Sequence, residues 1–301
     1  MTAPSKLQTW ILAARPKTLP AAVSPVIVGS AAAFVDNAFR PGPALAAFFG
    51  ALLLQIGANL ANDVFDFHKG ADTKDRLGPL RVTQAGLLSP REVLLGMWVT
   101  FGLAALLGVY LVLAAGWPVV AIGVASILSA IAYTGGPYPL GYHGLGDLFV
   151  FIFFGPVAVI GTYFVQAREV SLLSVLASIP MGLLITAILV VNNLRDIHTD
   201  RASGKRTLAV RLGVEGTRRE YLLCLSTAYL IPVGMAAAGL TTFWVVLAWL
   251  SLPLAVRLVR MIWRVSGRPL NEALAGTGQL TLLYSLLFSL GLVLPLLLGW
   301  A

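Results

Sequence analysis

The chain has 301 residues, 58% of them hydrophobic and only 11% charged, with a net charge of +8 and a mean hydropathy of +0.85. A soluble domain carries about a quarter charged residues, so this composition excludes a water-soluble fold and requires lipid around most of the surface. The single cysteine, Cys224, excludes an intramolecular disulfide and sits in an apolar run as a packing residue.

Hydrocarbon takes roughly 20 apolar residues per helical crossing. The first run, near 18–36, follows the basic segment Ala14-Arg15-Pro16-Lys17, and no small-residue cleavage site marks a removable signal peptide. After the break Arg40-Pro41-Gly42-Pro43 comes a run near 44–66, then a polar loop over 67–91 and a third run near 92–114. Gly116-Trp117-Pro118 separates that run from one near 118–134, and a Gly/Pro-rich loop over 135–146 leads into a fifth near 146–166. The sixth, near 172–195, ends in a polar stretch over 196–217. Runs near 218–239, 242–264 and 277–299 complete the chain, with Gly267-Arg268-Pro269 between the last two. These Leu-, Ala- and Gly-rich runs predict closed helices rather than the short alternating segments of a membrane β-barrel. The expected fold is all-α: one polytopic domain over 1–301, a bundle of nine transmembrane helices with three cap loops on one side.

The basic residues give that side its identity. If the amino terminus is cytoplasmic, every Lys and Arg except Arg40 and Arg168 falls on the cytoplasmic side, which places the carboxyl terminus outside. Anionic inner-leaflet lipid then accounts for the positive charge, and no nucleic-acid partner is needed.

Of the thirteen carboxylates, Asp36 and Glu169 fall in outer loops and the other eleven near cytoplasmic ends. They are clustered. One cluster is Asn59-Leu-Ala-Asn62-Asp63-Val-Phe-Asp66, followed by Asp72 and Asp75; the other is Asn192-Asn193-Leu-Arg195-Asp196-Ile-His-Thr-Asp200. Spacings of three and four put Asn59, Asp63 and Asp66, then Asn62 and Asp66, and in the second cluster Asn192, Asp196 and Asp200, on common helix faces. Asn-x-x-x-Asp thus ends spans two and six alike. Carboxylates stacked one turn apart beside hydrocarbon need compensation, from Arg and Lys partners or from divalent metal. Magnesium takes oxygen ligands and bridges one or two carboxylates to phosphate oxygens, so two opposed clusters suit a diphosphate with a greasy tail. Lys69, Arg76, Arg81, Lys205 and Arg206 stand near enough in sequence to neutralise the remaining charge. His68, His143 and His198 have no zinc-ligand spacing.

At these residues the chain resembles the UbiA superfamily of intramembrane prenyltransferases. The likeness runs from Ala14-Arg15-Pro16-Lys17-Thr-Leu-Pro through the first Asp cluster and the Asp72-to-Gly86 loop. It continues through Tyr133-Thr-Gly-Gly-Pro-Tyr-Pro-Leu-Gly-Tyr142-His-Gly-Leu-Gly-Asp147 and closes with the second cluster up to Gly213. The loops 72–86 and 135–147 are similar to those of the branch that prenylates 1,4-dihydroxy-2-naphthoate. The resemblance implies a nine-helix bundle and Mg²⁺-dependent transfer of a polyprenyl chain from its diphosphate to the naphthoate. Loss of the naphthoate carboxylate accompanies the transfer, on the route to menaquinone or phylloquinone. Many members carry a further Asp four residues after Asp66; here that position is Gly70 and the next Asp is Asp72, which either binds metal or orders its loop.

The expected metal ligands are Asn62, Asp63, Asp66, Asn192, Asp196 and Asp200, with Asp63 and Asn192 equally able to hydrogen-bond their own helix ends. Lys69, Arg81, Lys205 and Arg206 are the expected diphosphate ligands. Asp66, Asp196 and Asp200 carry the chemistry, Tyr142 presents a ring to a developing carbocation, and Asp147 orients the naphthoate hydroxyl. Two other readings stay open: a related enzyme with another aromatic acceptor, such as 4-hydroxybenzoate or homogentisate, and a cation-coupled transporter using the same carboxylates.

Overall fold

The computed structural model describes residues 4–70 and 77–300, so Asp72, Lys74, Asp75 and Arg76 lie outside the described residues. Helices start where the sequence supplies caps. Ser5 accepts from Gln8 N–H and opens α1 (Lys6–Ala14), and Ser89 does the same for Glu92 at the start of α4 (Pro90–Ala115), both as reciprocal capping boxes. Between them a left-handed Arg15 and the turn Pro16–Thr18 lead into α2 (Leu19–Val35), and α3 (Pro41–His68) follows. Gly116, at φ 93°, ends α4 and lets the short α5 (Pro118–Ala132) fold back. Next come α6 (Gly146–Ile152) and α7 (Ala158–Ala167), then α8 (Leu172–Ala202) and α9 (Leu208–Ala237). A 3₁₀ stretch, Phe243–Ser251, enters α10 (Leu252–Arg264), and α11 (Leu270–Leu297) closes the chain.

Among the described residues eight helical segments are long and apolar enough to cross a bilayer, and α5 is a ninth, shorter one. The protein is a multi-pass membrane bundle, as the apolar runs predict. Three details differ from the runs. The segment before the first span is itself helical, as α1. The fifth span is α6 and α7 joined through a π turn, Phe153–Val157, that holds Pro156, whose missing N–H breaks the regular ladder. The stretch 196–217 is mostly helix, because α8 runs on to Ala202 and α9 starts at Leu208, with a bend at Gly213 (φ 71°).

The core lies where α8, α9, α11 and α2 meet, around Val28, Met181, Leu184, Tyr221, Tyr284 and Phe288. Close backbone approach builds part of it: a Cβ on Gly155 would sit 2.9 Å from the Gly182 Cα, so the π turn and α8 cross at a glycine pair. A second cluster, around Leu60, Val64, Met97 and Phe101, joins α3 to α4. Leu106, Leu113, Val124 and Leu128 on α4 and α5 are exposed, as residues facing lipid should be. The carboxyl-terminal ends of α3 and α8 open on the same cavity, so the two Asp clusters meet across it.

Candidate active site

That cavity encloses about 800 Å³. Along α3 its wall runs from Ala47 to Asp66, about 28 Å at 1.5 Å per helical residue, which is close to the thickness of the hydrocarbon. The far end is apolar, lined by Leu107, Leu111, Val112, Val119, Ile122 and Val165. The near end carries Asn62, Asp66, Asn192, Asp196 and Asp200, together with Arg81, Lys205, Tyr133 and Tyr142. It is a greasy channel with an ionic mouth.

The four polar residues of the first cluster do different things. Asn59 donates from Nδ2 to the Ala14 carbonyl (3.0 Å) and the Thr18 hydroxyl (2.9 Å), fixing the α1–α2 junction to α3. The Asn62 Oδ1 accepts from the Thr134 hydroxyl at 2.9 Å. Asp63 points away from the cavity. Its two oxygens accept the backbone N–H groups of Val82 and Thr83, each at 3.1 Å, and the Arg15 guanidinium lies 3.7 Å away. Asp66, buried like Asp63, accepts from Arg81 Nη2 at 2.8 Å and from the Tyr142 hydroxyl at 2.5 Å, with Lys205 Nζ at 3.7 Å. Three separate loops therefore converge on one carboxylate.

In the second cluster one turn separates each of Asn192, Asp196 and Asp200, and all three face the cavity. The fully buried Arg195 organises them. Its guanidinium donates to both Asp196 oxygens (2.8 and 2.5 Å), to the Asn192 Oδ1 (2.9 Å) and to the Asn271 Oδ1 (2.7 Å). The Asp200 carboxylate accepts no hydrogen bond from the described residues.

The remaining expected residues divide. The Lys205 ammonium sits 4.4 Å from the centre of the Tyr142 ring and the Lys69 ammonium 5.2 Å, so that ring already faces two cations. Lys69 donates to the Gly136 carbonyl at 3.1 Å; partial burial, more than the nearby Lys205 charge, holds its pKa below the ordinary lysine range while Asp66 opposes the drop. Arg206 has an exposed side chain, and its backbone N–H, bonded to the Tyr142 carbonyl at 2.8 Å, is what ties it to the site. Asp147 is buried at the start of α6, behind the cavity wall, and its Oδ2 has no hydrogen-bond partner among the described residues. Tyr133 stands on the wall in front of it. Its ring is part of the cavity lining.

Two partners escape a reading of the sequence. Arg195 lies inside the second motif, and its position at the end of an apolar run is a usable signal of burial and pairing. Asn271 lies 76 residues beyond Arg195 and has no local signal at all.

The cavity donors are all hard oxygens, carboxylate and carboxamide, which suits Mg²⁺ and not a soft metal. Among the described residues no three His, Cys, Asp or Glu side chains converge on a single point. A metal there would be held by one or two carboxylates and completed by phosphate oxygens and water, as Mg²⁺ usually is.

An ionic mouth over a membrane-deep apolar channel is the arrangement expected of an intramembrane enzyme. The chain belongs to the UbiA prenyltransferase family, whose pattern matches residues 22–275. It is 41% identical to the 1,4-dihydroxy-2-naphthoate octaprenyltransferase of Escherichia coli strain K12, covering 96% of each chain. The enzyme of that name from Mycobacterium tuberculosis is also 41% identical, over 92% of this chain and 94% of its own. In fold the protein is similar to a UbiA homolog from Archaeoglobus fulgidus bound to GPP and Mg²⁺ (TM-score 0.66, 14% identity, 93% of this chain and 99% of the other).

Proposed function

We propose that the protein transfers a prenyl chain from a polyprenyl diphosphate to 1,4-dihydroxy-2-naphthoate, with loss of the carboxylate, in menaquinone or phylloquinone biosynthesis. The observation that carries this reading is the pairing of two Asn-x-x-x-Asp helix ends across the mouth of a channel as long as the bilayer core is thick. The naphthoate-specific names of relatives 41% identical over nearly the whole chain supply the acceptor.

Asn62, Asp66, Asn192, Asp196 and Asp200 would hold Mg²⁺, and bound Mg²⁺ would neutralise the diphosphate and make it a better leaving group. The apolar channel takes the prenyl tail and keeps water from the reacting carbon. Arg81 and Lys205, now on Asp66 at the cavity mouth, would meet the diphosphate oxygens as charge-assisted donors. As the allylic C–O bond breaks, its electron pair leaves with the diphosphate. Tyr133 and Tyr142 line the cavity beside the space where we place the developing allylic cation. The naphthoate carbon bearing the carboxylate attacks that cation; a C–C bond forms, and carbon dioxide departs leaving its bonding pair in the ring. Asp63 serves this site indirectly, by holding the Val82–Thr83 backbone that carries Arg81. Tyr133 forms the part of the wall against which we place the acceptor hydroxyl, and Asp147 lies behind it. The concentration of basic residues at the mouth supports a cytoplasmic amino terminus and an active site facing the cytoplasm of a cell membrane.

The test is the mass of the product made by purified protein from naphthoate, a polyprenyl diphosphate and Mg²⁺. A prenylated, decarboxylated naphthoquinol, lost on addition of EDTA, is the expected result. Product from 4-hydroxybenzoate or homogentisate and none from naphthoate would overturn the acceptor. No prenyl transfer to any acceptor by folded protein would overturn the reaction.

A further inference from the structure

Asn271 stands in the first turn of α11, far in sequence from both Asp clusters and off the cavity wall. Its carboxamide nevertheless joins the second cluster's Arg195 to the segment that carries Arg81. Oδ1 accepts from Arg195 Nη1 at 2.7 Å, and Nδ2 donates to the Leu77 carbonyl at 2.8 Å. A guanidinium only donates and a carbonyl only accepts, and a side-chain amide, with an acceptor oxygen and a donor nitrogen a fixed distance apart, serves both. On one side Asn271 thereby joins the guanidinium that holds Asp196 and Asn192. On the other it holds Leu77, four residues before Arg81. Just past Arg81, Val82 and Thr83 are held by Asp63. The segment that brings Arg81 to Asp66 is thus pinned at one end by α3 and at the other by α11.

We propose that Asn271 is a positioning residue for the diphosphate end of the site: it fixes the Arg81 segment to the second Asp cluster, so that both halves of the mouth meet the substrate in register. The assignment rests on the prenyl-transfer reading above. Asn271 acts through Arg195 and Leu77 and touches no ligand itself.

Two variants separate the arms. Asn271→Asp keeps an acceptor for Arg195 but sets a carboxylate oxygen against the Leu77 carbonyl, whereas Asn271→Leu removes both contacts. Each would be examined in detergent without ligand by amide hydrogen exchange of residues 77–83. Affinity for a non-ionising probe, a geranylgeranyl thiolodiphosphate with Mg²⁺, would be measured alongside. For Asn271→Asp we expect faster exchange in 77–83, probe affinity weakened about tenfold and an unchanged melting temperature. Asn271→Leu should show the same two changes with a lower melting temperature. Wild-type exchange and wild-type affinity in Asn271→Asp would overturn the assignment. So would a loss of thermal stability with affinity unchanged, which is the mark of a purely structural residue. If wild-type protein fails to bind the probe, the prenyl-transfer reading falls and this assignment falls with it; if wild type binds and the variants match it, Asn271 alone is at fault.

Discussion

Asp66→Asn should lower turnover by about a thousandfold at saturating Mg²⁺, the scale on which loss of one preorganised charged group acts at a reacting centre. The substitution is nearly isosteric and leaves a carbonyl oxygen for Arg81 or Tyr142, so the mouth can still assemble. What it removes is the negative charge on which Arg81, Tyr142 and Lys205 converge. That charge has two tasks. Without ligand it orders three loops, which a buried ion pair does better than it adds stability. With ligand it would share Mg²⁺ with the diphosphate while the two cations turn to the phosphate oxygens. Asp66→Ala, which also removes the carboxylate to which the buried Arg81 donates, should be as inactive and less stable. Steady-state rates across an Mg²⁺ titration, beside melting curves in detergent, check both variants. A near wild-type rate in Asp66→Asn would refute the role given to this carboxylate.

Arg195→Met should damage folding and activity together. The residue is buried without solvent access and gives hydrogen bonds to Asp196, Asn192 and Asn271. A methionine of similar length fills the space but leaves the Asp196 carboxylate without its counter-charge. Breaking a buried pair from one side costs about 3–5 kcal/mol, so the melting temperature should fall clearly and turnover should vanish. Arg195→Lys should not restore either, since an ammonium cannot reproduce a planar fork that serves several acceptors at once. Thermal unfolding and turnover of the three proteins decide the matter. Wild-type stability in Arg195→Met would show that Asp196 finds its compensation elsewhere.

The spans were legible because hydrocarbon demands long uninterrupted apolar runs, and these runs have few competing explanations. Their ends were less so. Polar residues on the last turns of α8 and the first of α9 read as loop, yet the helices continue through them: Thr199 and Arg201 donate to backbone carbonyls, of Asp196 and Val210, and Thr207 caps the start of α9. Helix α1 was missed because it is short and precedes a basic, proline-containing turn. The periodicity of Asn192, Asp196 and Asp200 was readable from spacing alone, since one face of one helix carries them. Asp63 shows the limit of that reasoning: it shares an arc with Asn59 and Asp66, but its oxygens go to the Val82–Thr83 backbone, a contact nineteen and twenty residues away. The Arg195–Asn271–Leu77 chain joins three distant segments and cannot be read from any local pattern.

The claim that both halves of the bundle hold one metal-bound diphosphate is tested most directly by locating the metal. Crystals grown with Mn²⁺ in place of Mg²⁺ and with a prenyl thiolodiphosphate would show the ions by anomalous scattering. The account predicts metal at the cavity mouth, ligated from α3 by Asp66 and from α8 by Asp196 or Asp200, with the diphosphate between the two helix ends. Metal bound by one helix alone, or diphosphate held by Lys and Arg with no metal at the mouth, would contradict it.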